Sequence, residues 1–225
     1  KHGMLVMQDM VNNGGYSFLF DTGLPTIGLK VRKDTKNKEN ETMRIFKEHM
    51  QETLEHLYNH PSIVAYTIFN EGWGQFNSDE MYELAKSTDS SRLYDSTSGW
   101  FAQNKNDFDS EHIYFKTTSP EVKERPMFVS ECGGYSQVIE GHFYSKYGAY
   151  GYGGAKDSEE LTDMICKMYE EMILPGLDAG ICGCVYTQLS DVEDEVNGLY
   201  TYDRKICKVN KERMQNLSEQ IHSHF

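Results

Sequence analysis

The hydrophobic positions of this chain follow two spacings, one typical of helices and the other typical of buried strands. In residues 39–58, apolar side chains recur every three or four positions, which is the period of an amphipathic helix. Residues 63–69 and 127–131 are short and almost continuously apolar, as in strands that are buried on both faces. Further helices are predicted at 78–87, at 158–174 and after Asn210. Further strands are predicted at 4–8, 92–97, 112–115 and 181–189.

The order of these elements indicates the fold class. Strands alternate with helices over most of the chain, which predicts an α/β fold with a parallel sheet and crossover helices. An open doubly wound sheet is the competing arrangement, but no glycine-rich phosphate loop follows any predicted strand. We therefore favour a (β/α)8 TIM barrel, in which catalytic groups lie at the carboxyl ends of several strands.

Composition and charge exclude several classes of partner. The net charge of −13 over 225 residues argues against binding to nucleic acid or to an anionic membrane. No apolar run is long enough to span a bilayer and no export signal begins the sequence, so we expect a cytoplasmic protein. The five cysteines are odd in number and lack zinc-site spacing, which indicates free thiols and no structural metal. No cofactor is predicted.

Two glutamates, each directly after a hydrophobic run, are the main candidates for chemistry. Asn70 and Glu71 end the run at 63–69, and Glu131 ends the run at 127–131. Strand-end carboxylates of this kind suggest a pair that meets across a pocket, although either one could be an ordinary loop carboxylate. Cys132 directly follows Glu131, but a nucleophilic thiol needs a histidine base that the sequence alone does not locate.

Three segments carry a resemblance to a known family. Residues 60–71 (His-Pro-Ser-Ile-Val-Ala-Tyr-Thr-Ile-Phe-Asn-Glu), residues 128–134 (Phe-Val-Ser-Glu-Cys-Gly-Gly) and residues 186–203 resemble the catalytic barrel of glycoside hydrolase family 2. The resemblance implies a retaining β-glycosidase with Glu71 as general acid/base and Glu131 as nucleophile. The chemistry agrees, because retaining hydrolysis uses two carboxyl groups about 5 Å apart, one protonated and one ionised.

Further site residues are expected around this pair. The resemblance implies that Asn70 binds the sugar hydroxyl beside the reacting carbon. Trp73 and Trp100 follow strands and are expected either to stack on a sugar ring or to pack in the core. His112 and Tyr114 reach ring hydroxyls or form a buried pair, and Gln188 and Asp9 are weaker substrate-binding candidates. The acidic segment 191–195 suggests either a cation site or, as we favour, a solvated loop.

The resemblance to glycoside hydrolase family 2 also bears on the substrate class and on an alternative function. The Asn-x-Lys pair that glucuronidases of this family use for the substrate carboxylate is not evident after Gln188. Together with the acidic balance, this favours β-galactoside-like carbohydrates as substrates. The alternative is a non-catalytic carbohydrate-binding or scaffold protein that keeps the barrel without turnover.

The extent of the barrel is a further expectation. By resemblance, the sequence starts at the third strand of the family's barrel, without the first two strands or the preceding sugar-binding and immunoglobulin-like domains. Residues 1–225 are therefore expected to form a partial TIM barrel of about strands 3 to 8. Unpaired strand edges would favour self-association through the open side, and we expect negligible activity from these residues alone.

Overall fold

The chain divides into two compact units, Lys1–Glu111 and His112–Phe225, which are described one at a time. The structure is a computed structural model. It describes residues 3–11, 14–26, 29, 34, 39–115, 117–145 and 148–224, except for the side chains of Thr22 and Thr26.

The first unit contains a three-stranded sheet in the order β1-β2-β3. Its strands are β1 (Val6–Asp9), β2 (Ile63–Asn70) and β3 (Leu93–Ser98). β2 lies in the centre and pairs in parallel with both neighbours. A central strand needs apolar residues on both faces, and this explains the continuous hydrophobic run that predicted it.

The first unit has one short helical turn, α1 (Leu24–Thr26), and two longer helices, α2 (Glu41–Leu57) and α3 (Ser78–Thr88). Each of the two longer helices buries one apolar stripe in a core shared with the sheet. Asn40 caps α2 by accepting a hydrogen bond from the Met43 amide at 2.9 Å. The shared core includes Met43, Phe46, Met50, Leu54, Tyr66, Ile68, Phe69, Phe76, Met81, Ala85 and Tyr94. Between β1 and α2, Phe18–Gly23 and α1 form helical turns; residues 12, 13, 27, 28, 30–33 and 35–38 lie outside the described residues.

The second unit is organised on the sheet order β4-β5-β6. β4 (Asp109–Ile113) carries the chain from the first unit into the second, and β5 (Met127–Gly133) and β6 (Ile181–Thr187) pair in parallel. β4 begins three residues earlier than the strand predicted at 112–115, because the strand includes polar residues that give no hydrophobic signal. β5 runs past Glu131 because Cys132 and Gly133 still pair with Tyr186 and Thr187.

The remaining helices cover this second sheet. They are α4 (Ser158–Met168), α5 (Leu174–Asp178) and α6 (Lys211–His222), and a wide helical turn at Tyr169–Ile173 joins α4 to α5. Asp157 caps α4 by accepting from the Glu160 amide at 2.9 Å, and Asn210 caps α6 by accepting from the Arg213 amide at 3.2 Å. Their buried core residues are Leu161, Ile165, Cys166, Met168, Tyr169, Met172, Ile173 and Leu217.

The described residues therefore contain six strands, the number that the hydrophobic pattern predicts. All three strand pairs with an established register are parallel, as expected of an α/β fold. The closure of the strands into one barrel stays a prediction. No helix within the described ranges has both the length and the apolar character needed to cross a bilayer.

Candidate active site

Glu71 begins a tight turn at the carboxyl end of β2. It is 8% exposed, and its backbone has a φ of +52°, a left-handed conformation that costs a non-glycine residue about 1–2 kcal/mol. The Glu71 amide donates to the Ser98 carbonyl at 3.1 Å, which ties this turn to the end of β3. At Gly72, with a φ of +76°, a Cβ atom would lie 2.5 Å from the Phe101 ring. The surrounding packing thus holds Glu71 in a strained position, a feature common at functional sites.

Both tryptophans lie near the ends of first-unit strands, but in different surroundings. Trp73 is half-buried and its ring contacts Tyr16, with ring centroids 4.5 Å apart. Its indole N–H is buried and has no hydrogen-bond partner among the residues that the structure describes. Trp100 is 6% exposed and packs edge-on against Phe101. The partly exposed ring of Trp73 suits sugar contact, whereas the surroundings of Trp100 suit packing.

The other two first-unit candidates occupy different levels of the sheet. Asn70 is the last residue of β2, directly before Glu71, and pairs with Ser98. Asp9, on β1, is exposed and pairs with Thr67 of β2. Thr67 lies four residues before Glu71. At about 3.3 Å per residue, that offset is roughly 13 Å along the strand. Asn70 is thus adjacent to Glu71, whereas Asp9 lies far from Glu71 along the sheet, and its position does not support a role in substrate binding.

In the second unit, His112 and Tyr114 both contact Glu131. The Tyr114 hydroxyl donates a hydrogen bond to Oε2 of Glu131, and His112 Nδ1 lies 3.5 Å from the same oxygen. Burial, followed by the negative charge of Glu131, raises the pKa of Tyr114 far above its ordinary value. The phenol therefore stays protonated and acts as a donor to the carboxylate.

The Tyr114 ring is held by an aromatic contact that the sequence did not indicate. Tyr152 stacks on it with ring centroids 3.8 Å apart and an interplanar angle of 8°. Gly134 makes this possible, because a Cβ atom there would lie 2.5 Å from the Tyr152 ring. At Gly133 a Cβ atom would overlap the ring of Tyr186. The two glycines after Glu131 were the only sequence signal for this close packing.

A polar cluster follows β6, consisting of Gln188, Glu195 and Asn197. Gln188 Nε2 donates to Glu195 Oε2 at 3.1 Å and to Asn197 Oδ1 at 2.9 Å, and Asn197 Nδ2 donates to Glu195 Oε1 at 3.0 Å. Burial raises the pKa of Glu195, and the charge of Glu131 raises it further. Gln188 was predicted as a site residue, whereas Glu195 and Asn197 were missed.

The acidic segment 191–195 is exposed at Val192 and Glu193, as expected of a solvated loop, but it begins with a buried residue. Asp191 is 2% exposed, and its Oδ1 accepts from Lys208 Nζ at 2.7 Å and from the Gly198 amide at 2.8 Å. Lys208 also donates to the carbonyls of Gln137 at 3.0 Å and Val196 at 2.9 Å. The prediction was wrong at Asp191 because its partner, Lys208, lies 17 positions away along the chain.

Cys132 is a buried thiol beside Glu131 in sequence. A hydrogen bond with Cys184 and burial raise the pKa of Cys132, so the thiol stays protonated. A protonated, buried thiol is a poor nucleophile. All five cysteines are free thiols.

Comparison with known proteins gives the family context for these residues. Residues 1–172 match a family model described as glycosyl hydrolases family 2, TIM barrel domain. A comparison with curated protein sequences gave no match.

Solved structures similar to the chain share its fold at low sequence identity. A β-D-glucuronidase from Dictyoglomus thermophilum has a TM-score of 0.58 and 14% identity, covering 84% of this chain and 37% of that one. A β-glucuronidase from an uncultured Clostridium sp. has a TM-score of 0.54 and 15% identity, with 82% and 37% covered. A β-galacturonidase of the same family from Eisenbergiella tayi, bound to galacturonate, has a TM-score of 0.51 and 16% identity, with 81% and 38% covered. The chain thus spans little more than a third of each of these proteins.

Proposed function

Because the chain belongs to the TIM barrel domain of glycosyl hydrolase family 2, we propose that it supplies the catalytic residues of a retaining β-glycosidase. Glu131 is the nucleophile and Glu71 the general acid/base. The observation that carries the proposal is the pair of contacts made by the Glu131 carboxylate. It accepts a hydrogen bond from the Tyr114 hydroxyl and lies 3.5 Å from His112 Nδ1. In a TIM barrel, the carboxyl ends of all strands meet at one face, and Glu71 and Glu131 each lie at or near such an end.

In the first step, an oxygen of Glu131 forms a bond to the anomeric carbon while the glycosidic bond breaks. The departing oxygen takes a proton from Glu71, so the leaving group is a neutral alcohol. The Tyr114 hydroxyl orients the Glu131 carboxylate for this attack. Asn70 binds the sugar hydroxyl next to the reacting carbon, and Trp73 contacts the sugar through the exposed part of its ring.

In the second step, water replaces Glu131 on the anomeric carbon. Glu71, now ionised, takes a proton from that water, and the Glu131 carboxylate is released. Tyr114 then stabilises the charge that returns to Glu131, since a hydrogen bond to an ionised group is stronger than one between neutral groups. The two steps together keep the anomeric configuration.

The substrate class of the proposal is a β-linked carbohydrate, with β-galactoside-like sugars first. The net charge of −13 and the lack of an evident Asn-x-Lys pair after Gln188 support a neutral sugar. A panel of chromogenic β-glycosides, tested on the natural protein that contains this chain, measures the range directly. Binding of these sugars without turnover would instead favour the non-catalytic alternative.

A mechanism-based label tests the nucleophile. A 2-deoxy-2-fluoro-β-glycoside with an activated leaving group should inactivate the protein and attach one sugar per active site. Peptide mapping is expected to locate the label on Glu131, and Glu131→Gln should remain unlabelled. A label on any other residue would overturn the assignment.

Leaving-group dependence tests the acid. Glu71→Ala should slow substrates with poor leaving groups far more than those with activated ones, because only the former need a proton to depart. Equal slowing of both classes would remove Glu71 from this role.

A further inference from the structure

Glu195 is near enough to the proposed nucleophile, Glu131, for the charge of Glu131 to raise its pKa, although 64 positions separate the two residues in sequence. Thr187, the last residue of β6, pairs in register with Gly133, two residues after Glu131. Neighbouring strands are about 4.8 Å apart. The Tyr114 hydroxyl, which donates to Glu131, also lies 3.3 Å from the Thr187 hydroxyl. The segment that starts at Gln188 therefore leaves the sheet next to Glu131.

The side chain of Glu195 is held in one orientation. Its two oxygens accept from Gln188 and Asn197 at 3.1 Å and 3.0 Å. The side-chain amides of Gln188 and Asn197 both donate to Glu195. The remaining lone pairs of the Glu195 carboxylate can therefore accept hydrogen bonds from sugar hydroxyl groups.

The backbone around Glu195 is equally fixed. Val192 and Glu195 exchange two backbone hydrogen bonds, at 3.0 Å and 2.9 Å. On the other side, the Tyr150 amide donates to Asp194 and the Val196 amide donates to Tyr150. These hydrogen bonds hold the Glu195 backbone in place, so moving the carboxylate away from a ligand would require breaking some of them.

The region around Glu131 and Glu195 is negatively charged. Glu131 and Glu195 are close enough for each charge to affect the other, and Glu195 is half-buried, so water screens them less than at an open surface. Lys208, the buried lysine of this region, already binds Asp191 and two backbone carbonyls. A substrate carboxylate at this edge would face two like charges.

We propose that Glu195 is a specificity-determining residue that accepts hydroxyl groups of neutral β-hexosides and excludes β-hexuronides. The proposal rests on the function proposed above, since it concerns the sugar that occupies the site beside Glu131. A substrate carboxylate about 7 Å from the Glu195 carboxylate, at an effective dielectric of about 20, would be repelled strongly enough to lower the relative rate on uronides roughly 10- to 100-fold. Hydroxyl donors of a neutral sugar gain charge-assisted hydrogen bonds at the same position.

The test compares substrates that differ only at C6. The natural protein containing this chain is assayed with p-nitrophenyl β-galactoside and β-galacturonide, and with the matching glucoside and glucuronide. We expect kcat/KM to favour the neutral member of a pair by at least tenfold. Glu195→Gln should raise the uronide-to-neutral ratio roughly 10- to 100-fold. Glu193→Gln is the matched control: it removes the same charge at an exposed position of the same loop and should leave the ratio unchanged.

A second variant keeps the test decisive if Glu195→Gln does not fold. Gln188→Lys places a cation against the retained Glu195 and should also raise the relative rate on uronides. The proposal is overturned if the unmodified protein cleaves uronides as well as neutral sugars, or if the folded variants change both rates equally.

These outcomes are separable from the test of the proposed function. Labelling of Glu131 by a fluorosugar tests the nucleophile whatever the sugar preference. If that labelling succeeds and uronides are preferred, the specificity proposal alone fails. If no member of the panel is cleaved or labels Glu131, the proposed function fails and takes the specificity proposal with it.

Discussion

Replacing Lys208 with methionine should destabilise the second unit, because it removes one partner of a buried ion pair. The Lys208 side chain is 0% exposed and its ammonium group donates to Asp191 and to the carbonyls of Gln137 and Val196. Methionine has a similar length and fills the same space, so the main change is electrostatic. Asp191 would be left as a buried charge without its cation.

The size of the effect follows from that unpaired charge. Breaking a buried pair by removing one partner costs roughly 3–5 kcal/mol of unfolding free energy. For a chain of this size, about 2–4 °C is lost per kcal/mol, which gives a decrease in Tm of roughly 6–20 °C. Burial lowers the pKa of Lys208 in spite of Asp191, so the intact pair is itself a modest stabiliser. Removing both charges, with Lys208→Met and Asp191→Asn, should therefore cost less than the sum of the single changes.

Urea unfolding followed by far-UV circular dichroism measures these free energies as a double-mutant cycle. Asparagine at position 191 keeps an acceptor for the Gly198 amide, so the cycle isolates the interaction with Lys208. Lys205→Met is the control, since Lys205 is 73% exposed and its pair with Asp203 should be worth at most about 1 kcal/mol. A cost for Lys208→Met as small as that of the control, or strictly additive changes, would refute the reasoning.

Three other outcomes follow from the contacts around Glu131. Tyr114→Phe removes a hydrogen bond to an ionised group, worth roughly 1.5–3 kcal/mol, so kcat should decrease about 10- to 100-fold in steady-state assays with little change in fold by circular dichroism; an unchanged kcat would contradict this. Gly133→Ala should destabilise the protein by about 1–3 kcal/mol more than Gly141→Ala, since both positions have positive φ but only the first Cβ meets a side chain; equal denaturation midpoints would argue against that clash. Because burial raises the pKa of Glu195, folding favours its protonated form, and the unmodified protein should lose stability relative to Glu195→Gln as pH rises from the ordinary glutamate range toward neutrality; a difference in Tm that is independent of pH would contradict this sign.

Much of the fold was accessible from the sequence because its signals are local. β2 stops at Asn70, where the apolar run stops, and the stripe of α2 is the one that the three-and-four spacing indicates. β4 was placed three residues too late, since a strand held by its neighbours needs no hydrophobic pattern. The helix predicted to end near residue 174 continues as α5, because Pro175 is tolerated in the first turn of a helix.

The candidate site was accessible only in part, for the same reason. The predicted strand at 112–115 would turn the side chains of His112 and Tyr114 to one face, and both reach Glu131, although β4 ends at Ile113. Tyr152 and Glu195 reach the site through contacts between distant parts of the chain. Tyr150 pairs with the segment around Glu195, which is 45 positions later, and no periodic pattern encodes that pairing. Such contacts require the folded structure.

The two tryptophans of the chain, Trp73 and Trp100, both lie in the first unit. The intrinsic indole fluorescence of the protein therefore reports on one unit alone, while the tyrosines of the second unit are spectroscopically separate. Trp73 is half-buried and follows Glu71 by two residues, so its emission is sensitive to whatever contacts the end of β2. Quenching or a wavelength shift on addition of a sugar would thus report ligand occupancy at the Glu71 side, without an added label and independently of turnover.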